Sequence, residues 1–132
     1  MGELLIRDLA DGEEEALVAI ALAAWEPIYA YYRQTMGDQL LTSLHRNWRQ
    51  DKGNQIRRAC DPANGAQVVV AELGGRIVGF VTYYPRGRGG VAEIGNNAVH
   101  PEYQRRGIGT RMYEHVFQHL REMGTRFVKV GT

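Results

Sequence analysis

Asn97-Ala98-Val99-His100-Pro101-Glu102-Tyr103-Gln104-Arg105-Arg106-Gly107-Ile108-Gly109-Thr110-Arg111-Met112 is the stretch on which the reading of this chain turns. It reads as the end of a strand, a short loop and the start of a helix. A helix start presents unpaired backbone N–H groups and the positive end of the helix dipole, which together suit an anion, above all a phosphate. Gly107 and Gly109 remove side chains that would hold a pyrophosphate off the backbone. Arg105, Arg106 and Arg111 add charge-assisted donors. Glycines and arginines alone also describe a solvated surface turn. Two other nucleotide loops fail on spacing: no Gly-Lys-Ser/Thr ending is present, and Met112 stands where a dinucleotide fingerprint needs its third glycine.

Gln104-Arg105-Arg106-Gly107-Ile108-Gly109 resembles the Gln/Arg-x-x-Gly-x-Gly/Ala acyl-CoA loop of the GNAT superfamily of N-acetyltransferases. Val99-His100-Pro101 before it and the helix after it are similar to that family too. The resemblance implies an α/β fold: a mixed β-sheet flanked by helices, with a β-loop-α-β acyl-CoA-binding unit. It also implies acetyl-CoA as cosubstrate and an amine as acceptor.

Length and composition agree with one domain over residues 1–132. The chain is 44% hydrophobic with a net charge of +1, enough to bury a core and too balanced to point to nucleic acid or an anionic membrane as partner. Cys60 is the one cysteine, so no intramolecular disulfide framework is available, and a reducing, cytoplasmic setting is expected. No apolar run approaches membrane-spanning length, and no signal peptide is expected. Met1-Gly2 is not read as a myristoylation site, because Ile6 stands where Ser or Thr is wanted.

Along the chain, Leu4-Leu5-Ile6-Arg7 reads as a first strand. Asp11 is expected to cap a helix, with Glu14 completing a capping box and Leu17, Ile20, Ala21 and Ala24 on one face. Pro27 is expected to end or kink it. The aromatic run from Trp25 through Tyr29 to Tyr32 has two readings, core packing or a wall that holds an amine by shape and cation–π contact. Gly37-Asp38 opens a second helix with Leu40, Leu41, Leu44 and Trp48 on its apolar face. Lys52-Gly53 weakens that helix, and residues 55–60 add a further turn. Strands are expected over residues 67–73, 76–84 and 91–99, with a Gly74-Gly75 turn between the first two and a basic turn over 85–90. A helix from Ile108 carries Met112, Tyr113, Val116, Phe117 and Leu120 inward and ends at Gly124. Phe127-Val128-Lys129-Val130 is the next strand, parallel to the one before the loop. His115 and His119 lie one turn apart, but they lack the intervening Glu of a zinc helix and a third ligand. No metal is expected, and both are read as exposed; His45 and His100 offer no better case.

Acetyl transfer needs a deprotonated amine, a polarised thioester carbonyl and a tolerated thiolate. Glu93 lies on the strand leading to the loop, at the same alternation as Gly95, Asn97 and Val99. The resemblance implies Glu93 as general base, since histone-acetylating members carry a glutamate at the matching position; a salt-bridged strand carboxylate is the other reading. It further implies the backbone N–H of Asn97 as oxyanion donor. Backbone groups of Ala98 and Val99 would pair with the pantetheine arm. Gln104, Arg105, Arg106, Gly107, Ile108, Gly109, Thr110 and Arg111 would cradle the pyrophosphate. The reaction would be direct attack in a ternary complex. GNAT relatives continue after the final strand into a helix and two strands, which usually bring a tyrosine to protonate the thiolate. No residue of this chain matches it, and Tyr83 and Tyr84 are distant substitutes. The strand near Val128 would then present an unpaired edge that invites a homo-oligomer.

Overall fold

The computed structural model describes residues 3–44, 47–86 and 90–130. Met1-Gly2, His45 and the centre of the basic 85–90 turn lie outside the described residues. The elements in order are β1 (Leu4–Asp8), α1 (Glu14–Met36), α2 (Asp38–Leu44), α3 (Trp48–Ala59), β2 (Gln67–Leu73), β3 (Arg76–Tyr84), β4 (Ala92–Val99), α4 (Ile108–Glu122) and β5 (Val128–Val130). The strands form one sheet in the order β1-β2-β3-β4-β5. The first four are antiparallel neighbours, and β4 pairs with β5 in parallel. The β4-loop-α4-β5 unit is therefore present, as a crossover between parallel strands requires.

The sheet is buried on both faces, which is why Val68-Val69-Val70-Ala71 is continuously apolar. Val68, Val70 and Phe80 pack against Leu17, Val18, Ile20 and Ala21 of α1 and Ile56 of α3. Val69, Ala71, Val81, Tyr83, Ala92 and Ile94 pack against Ile108, Met112, Val116 and Leu120 of α4. The α4 residues recur at i, i+4, i+8 and i+12, one stripe of a helix.

The helical half departs from the sequence reading in three places. Asp11 does not cap α1. The helix begins at Glu14, and no side chain caps it. Glu13 instead turns its carboxylate to the Ala10 N–H at 2.8 Å and to Arg7. Pro27 does not end α1, which runs 23 residues through it. Glu26, Pro27 and Ile28 are exposed, so the hydrogen bond that proline removes falls on the solvent side. The expected second helix is two helices, with Leu41 on α2 and Trp48 on α3 both buried and Leu40 exposed. α3 continues through Gly53, which sits where α3 meets α1, Val18 Cγ1 lying 3.4 Å from where a Cβ would stand.

Arg7 ties the first strand to its surroundings. Its guanidinium donates to both Glu13 oxygens at 2.8 Å and to Glu72 at 3.0 and 3.2 Å, joining β1, β2 and the start of α1. The Arg7 bond holds the Glu13 carboxyl down at about 2. A depressed carboxyl stabilises the fold above its unfolded value and loses that contribution as pH falls toward the folded value. Urea unfolding of the wild type should therefore lose stability between about pH 4.5 and pH 2, and Glu13→Gln should flatten that slope while costing about 1 kcal/mol at pH 7. An unchanged acid slope in the variant would assign it to other carboxylates.

Candidate functional site

The site begins at an irregularity in β4. Tyr83 stands opposite Ile94 and Val81 opposite Asn97, so one β3 residue, Thr82, faces two on β4, Gly95 and Asn96. This is a β-bulge. Thr82 is fully buried, and its hydroxyl donates to the Asn96 carbonyl at 2.8 Å. A Cβ on Gly95 would fall 2.8 Å from that hydroxyl oxygen, so the bulge needs glycine there.

The extra residue breaks the alternation. Ile94 packs in the α4 cluster, whereas Ala98, four residues on, packs in the α1 cluster. Glu93, opposite Tyr84, thus shares the α1 face with Gly95 and Ala98, while Asn97 and Val99 turn to the α4 face. The common alternation of Glu93, Gly95, Asn97 and Val99 expected from sequence does not hold. The base candidate and the Asn97 side chain lie on opposite faces, and the Asn97 amide donates to the Gly95 carbonyl at 3.1 Å.

Backbone direction follows from one bond. The His100 N–H donates to the Val78 carbonyl of β3 at 2.8 Å. In an antiparallel ladder every second residue bonds the same neighbour, so Ala98 also turns its backbone groups to β3, and the N–H groups of Asn97 and Val99 point the other way. On that side β5 pairs only with Ala92, Glu93 and Ile94 among the described residues. Asn97 and Val99 therefore offer outward donors, and Ala98, expected as a partner of the pantetheine arm, does not. The Val99 carbonyl is already engaged by Gln104 Nε2 at 3.0 Å. Gln104 thus shapes the loop with its side chain instead of reaching outward with it.

The loop delivers the chain into α4. A short 3-10 turn, Pro101–Tyr103, is closed by the Glu102 N–H donating to His100 Nδ1. Arg105 sits at φ 66°, a left-handed conformation that costs a non-glycine residue about 1–2 kcal/mol. Gly107, at φ 77°, stands before the helix and supplies no capping side chain. Arg111 bonds back to the Gly107 carbonyl, and the first-turn amides of Ile108, Gly109 and Thr110 precede it. The first turns of α1, α2 and α3 carry Glu14 and Glu15, Asp38 and Asp51, whereas that of α4 carries no acid. Arg105, Arg106 and Arg111 form no ion pair among the described residues, while Arg7, Arg33, Arg49 and Arg57 each pair with a carboxylate. Gly109 is helical, and the nearest atom to an added Cβ is Val99 Cγ2 at 4.0 Å. Nothing in the protein's own packing requires glycine at 109.

Glu93 is half-buried between Tyr84 on β3 and Lys129 on β5 in register. It makes no ion pair or side-chain hydrogen bond with the described residues. Trp25, Tyr29 and Tyr32 lie together on α1, and Tyr29 stacks on Trp48 of α3 with centroids 4.1 Å apart. Burial, then the Tyr32 and Asp51 charges, push the Tyr29 phenol up. The sequence reading missed Trp48 and Lys52 as members of this cluster. Lys52 Nζ sits 4.3 Å over the Trp25 ring, occupying the cation position foreseen for an amine. Arg49 lies over Trp48 and pairs with Glu26 at 2.6 Å.

Other candidates separate from the site. Tyr83 is buried on the α4 face, bonded to Gln67 Oε1 at 2.9 Å and His119 Nδ1 at 2.6 Å, and burial pushes its phenol up to about 12. It lies on the opposite face from Glu93, whereas Tyr84 is Glu93's neighbour. His119 is half-buried, not exposed, because this bond draws it inward; His115 is exposed. Among the described residues no group of three or more ligand-type side chains could hold a metal. Burial pushes the Cys60 thiol up, as suits an unreactive side chain. No described helix is long and apolar enough to cross a membrane.

Gly109 gives the site a test with two signs. Gly109→Ala should stabilise α4 by about 0.5–1 kcal/mol, because alanine is the better helix former. The same change should weaken binding of acetyl-CoA, the ligand the resemblance implies, by about tenfold or more, since the methyl group enters the space beside Val99. Melts and calorimetry on one pair of proteins read both; a stabilised variant with unchanged affinity would remove Gly109 from the ligand surface.

Comparison with known proteins agrees with this geometry. The sequence model of the acetyltransferase (GNAT) family matches residues 25–132. No curated protein matches by sequence. Among solved structures, a GNAT family acetyltransferase from Brucella melitensis in complex with acetyl-CoA is similar at a TM-score of 0.66 and 22% identity, over 100% of this chain and 78% of that one. The PaiA N-acetyltransferase from Thermoplasma acidophilum, in complex with coenzyme A, aligns at 0.65 and 20% identity over 92% and 74% of the two chains. The aminoglycoside 6'-N-acetyltransferase from Enterococcus faecium aligns at 0.69 and 15% identity over 97% and 61%. At these identities the likeness shows the fold, and the family match carries the assignment: this chain belongs to the GNAT acetyltransferase family.

Proposed function

We propose that this chain is an N-acetyltransferase that moves an acetyl group from acetyl-CoA to a primary amine of a small molecule or protein, by direct attack in a ternary complex. The observation that carries the reading is the start of α4. Three first-turn amides follow a glycine without a capping side chain, with no acid in the turn and three arginines around it that form no ion pair among the described residues. Such an end is electrostatically unfinished until an anion arrives. Arg105 is held at a φ that favours glycine, which fits a side chain retained for its charge.

In this reading Gly107 to Arg111 receive the pyrophosphate and Gln104 holds the loop in shape. The outward N–H of Val99 pairs with the pantetheine arm. The Asn97 N–H receives the oxyanion as the amine attacks the thioester carbonyl, and the C–S bond then breaks to release the thiolate. Glu93 takes the amine's proton, directly or through water; its lack of an ion pair among the described residues supports that role. Trp25, Tyr29 and Tyr32 border the acceptor on the face that Glu93 shares. The chain acts as one domain in the cytoplasm, without nucleic acid, membrane or metal. The exposed Val128 and Val130 of β5, with Phe127 just before it, support self-association along that edge.

A second reading, a non-catalytic acyl-CoA-binding scaffold, is favoured by one observation: Lys52 already fills the cation position over Trp25. Release of free CoA from acetyl-CoA across an amine panel separates the two. Catalysis predicts amine-dependent release, with Glu93→Gln lowering kcat by about 100-fold and leaving acetyl-CoA affinity unchanged. Undiminished turnover in the variant would remove Glu93 from the reaction, and binding without turnover would favour the scaffold.

A further inference from the structure

Lys and Arg together number 16 in this chain, and Lys52 and Lys129 are the only lysines among them. The difference matters chemically. Arginine stays charged in any surroundings, whereas a lysine gives up its proton when water is taken from it. Lys129 is exposed on β5, in register beside Glu93. Lys52 is half-buried on α3.

The surroundings of Lys52 do little to hold its charge. Its ammonium lies 4.3 Å over the Trp25 ring of α1. Its side-chain hydrogen bond goes to Gln55 Oε1, a neutral acceptor at the long distance of 3.4 Å. It forms no ion pair among the described residues, whereas Arg49, one turn earlier and over Trp48, pairs with Glu26 at 2.6 Å. Burial pushes the Lys52 ammonium down, toward the neutral amine. A fully solvated lysine is neutral in about one molecule in 2,500 at pH 7, and the neutral amine is the form that attacks a thioester.

Lys52 also stands where the chemistry is expected. Leu22 of α1 and Ala98 of β4 pack on the same core cluster, and Trp25 follows Leu22 on the same side of α1. The amine over Trp25 thus occupies the wall assigned above to the acceptor. We infer that Lys52 is itself an acetyl acceptor, a site at which this protein modifies its own chain. This rests on the acetyl-CoA reading above. The neutral Nζ attacks the thioester carbonyl, the N–C bond forms and the C–S bond breaks. Coenzyme A leaves as the thiolate, and the proton shed by the nitrogen passes through Glu93 or water to the thiolate or solvent. Acetylated Lys52 carries no charge, so the cation–π contact ends and the Trp25 face is released to the amine of another acceptor.

Mass spectrometry of the full chain, incubated with acetyl-CoA at about pH 8 and no other amine, tests this by peptide mapping. Lys52 should gain its acetyl group about tenfold faster than Lys129 or more. Excess free coenzyme A should suppress that gain, and unfolding in urea should remove the preference. Lys52→Arg keeps a cation over Trp25 and should leave Lys129 at its slow rate; a thermal melt verifies its fold. Equal labelling of the two lysines, faster labelling of Lys129, or labelling of Lys52 that persists under excess coenzyme A or in urea overturns the proposal. Acetyl-CoA that binds by calorimetry without modifying Lys52 overturns it as well and leaves the coenzyme reading intact. Acetyl-CoA that does not bind overturns both.

Discussion

The hydroxyl of Thr82, buried inside the sheet and donating to the Asn96 carbonyl, is the interaction on which the site depends. It holds one extra residue in β4. That residue shifts the strand's alternation, so Glu93 faces the α1 and α3 layer while Val99 joins the α4 layer. Without it Glu93 and Asn97 would share a face. A buried hydroxyl without a partner would be costly, as would the unpaired carbonyl of a bulge; here each answers the other. Gly95 completes the arrangement, since any side chain there would strike the hydroxyl.

From the bulge onward the geometry follows in sequence. His100 closes the ladder on Val78, which turns the N–H groups of Asn97 and Val99 outward. Gln104 clasps the Val99 carbonyl and directs the loop back over the strand end. Ile108, Met112, Val116 and Leu120 bury their stripe on the sheet and fix the axis of α4. The helix start then faces the loop arginines with its first-turn amides. Charge is distributed to match: Arg7, Arg33, Arg49 and Arg57 are spent on carboxylates, and among the described residues Arg105, Arg106 and Arg111 are not.

The parts of this arrangement legible in the sequence were the ones with local signatures. The glycine spacing at 107 and 109, the i, i+4 stripe of α4 and the apolar strand runs bounded by turn residues needed no knowledge of the rest of the chain. The parts that were not legible depended on distant partners. Nothing local marks Thr82 as a bulge residue, because the Asn96 carbonyl it serves lies on another strand. Pro27 reads as a helix end, yet α1 continues because the proline lies on an exposed face. Asp11 reads as a cap, yet Arg7 draws Glu13 into that region instead. Lys52 and Trp25 are far apart in sequence and meet only where α3 packs on α1.

The central claim is that the start of α4 is an anion site selective for the coenzyme. The most direct measurement is a titration of the isotope-labelled chain with acetyl-CoA, followed at each backbone amide by NMR, with ATP as a control. The account predicts that the amides of Ile108, Gly109 and Thr110 move most, together with those of Asn97 and Val99, and that ATP at equal concentration moves the strand amides little. Shifts confined to the aromatic joint of α1 and α3, or equal responses to ATP throughout, would contradict it.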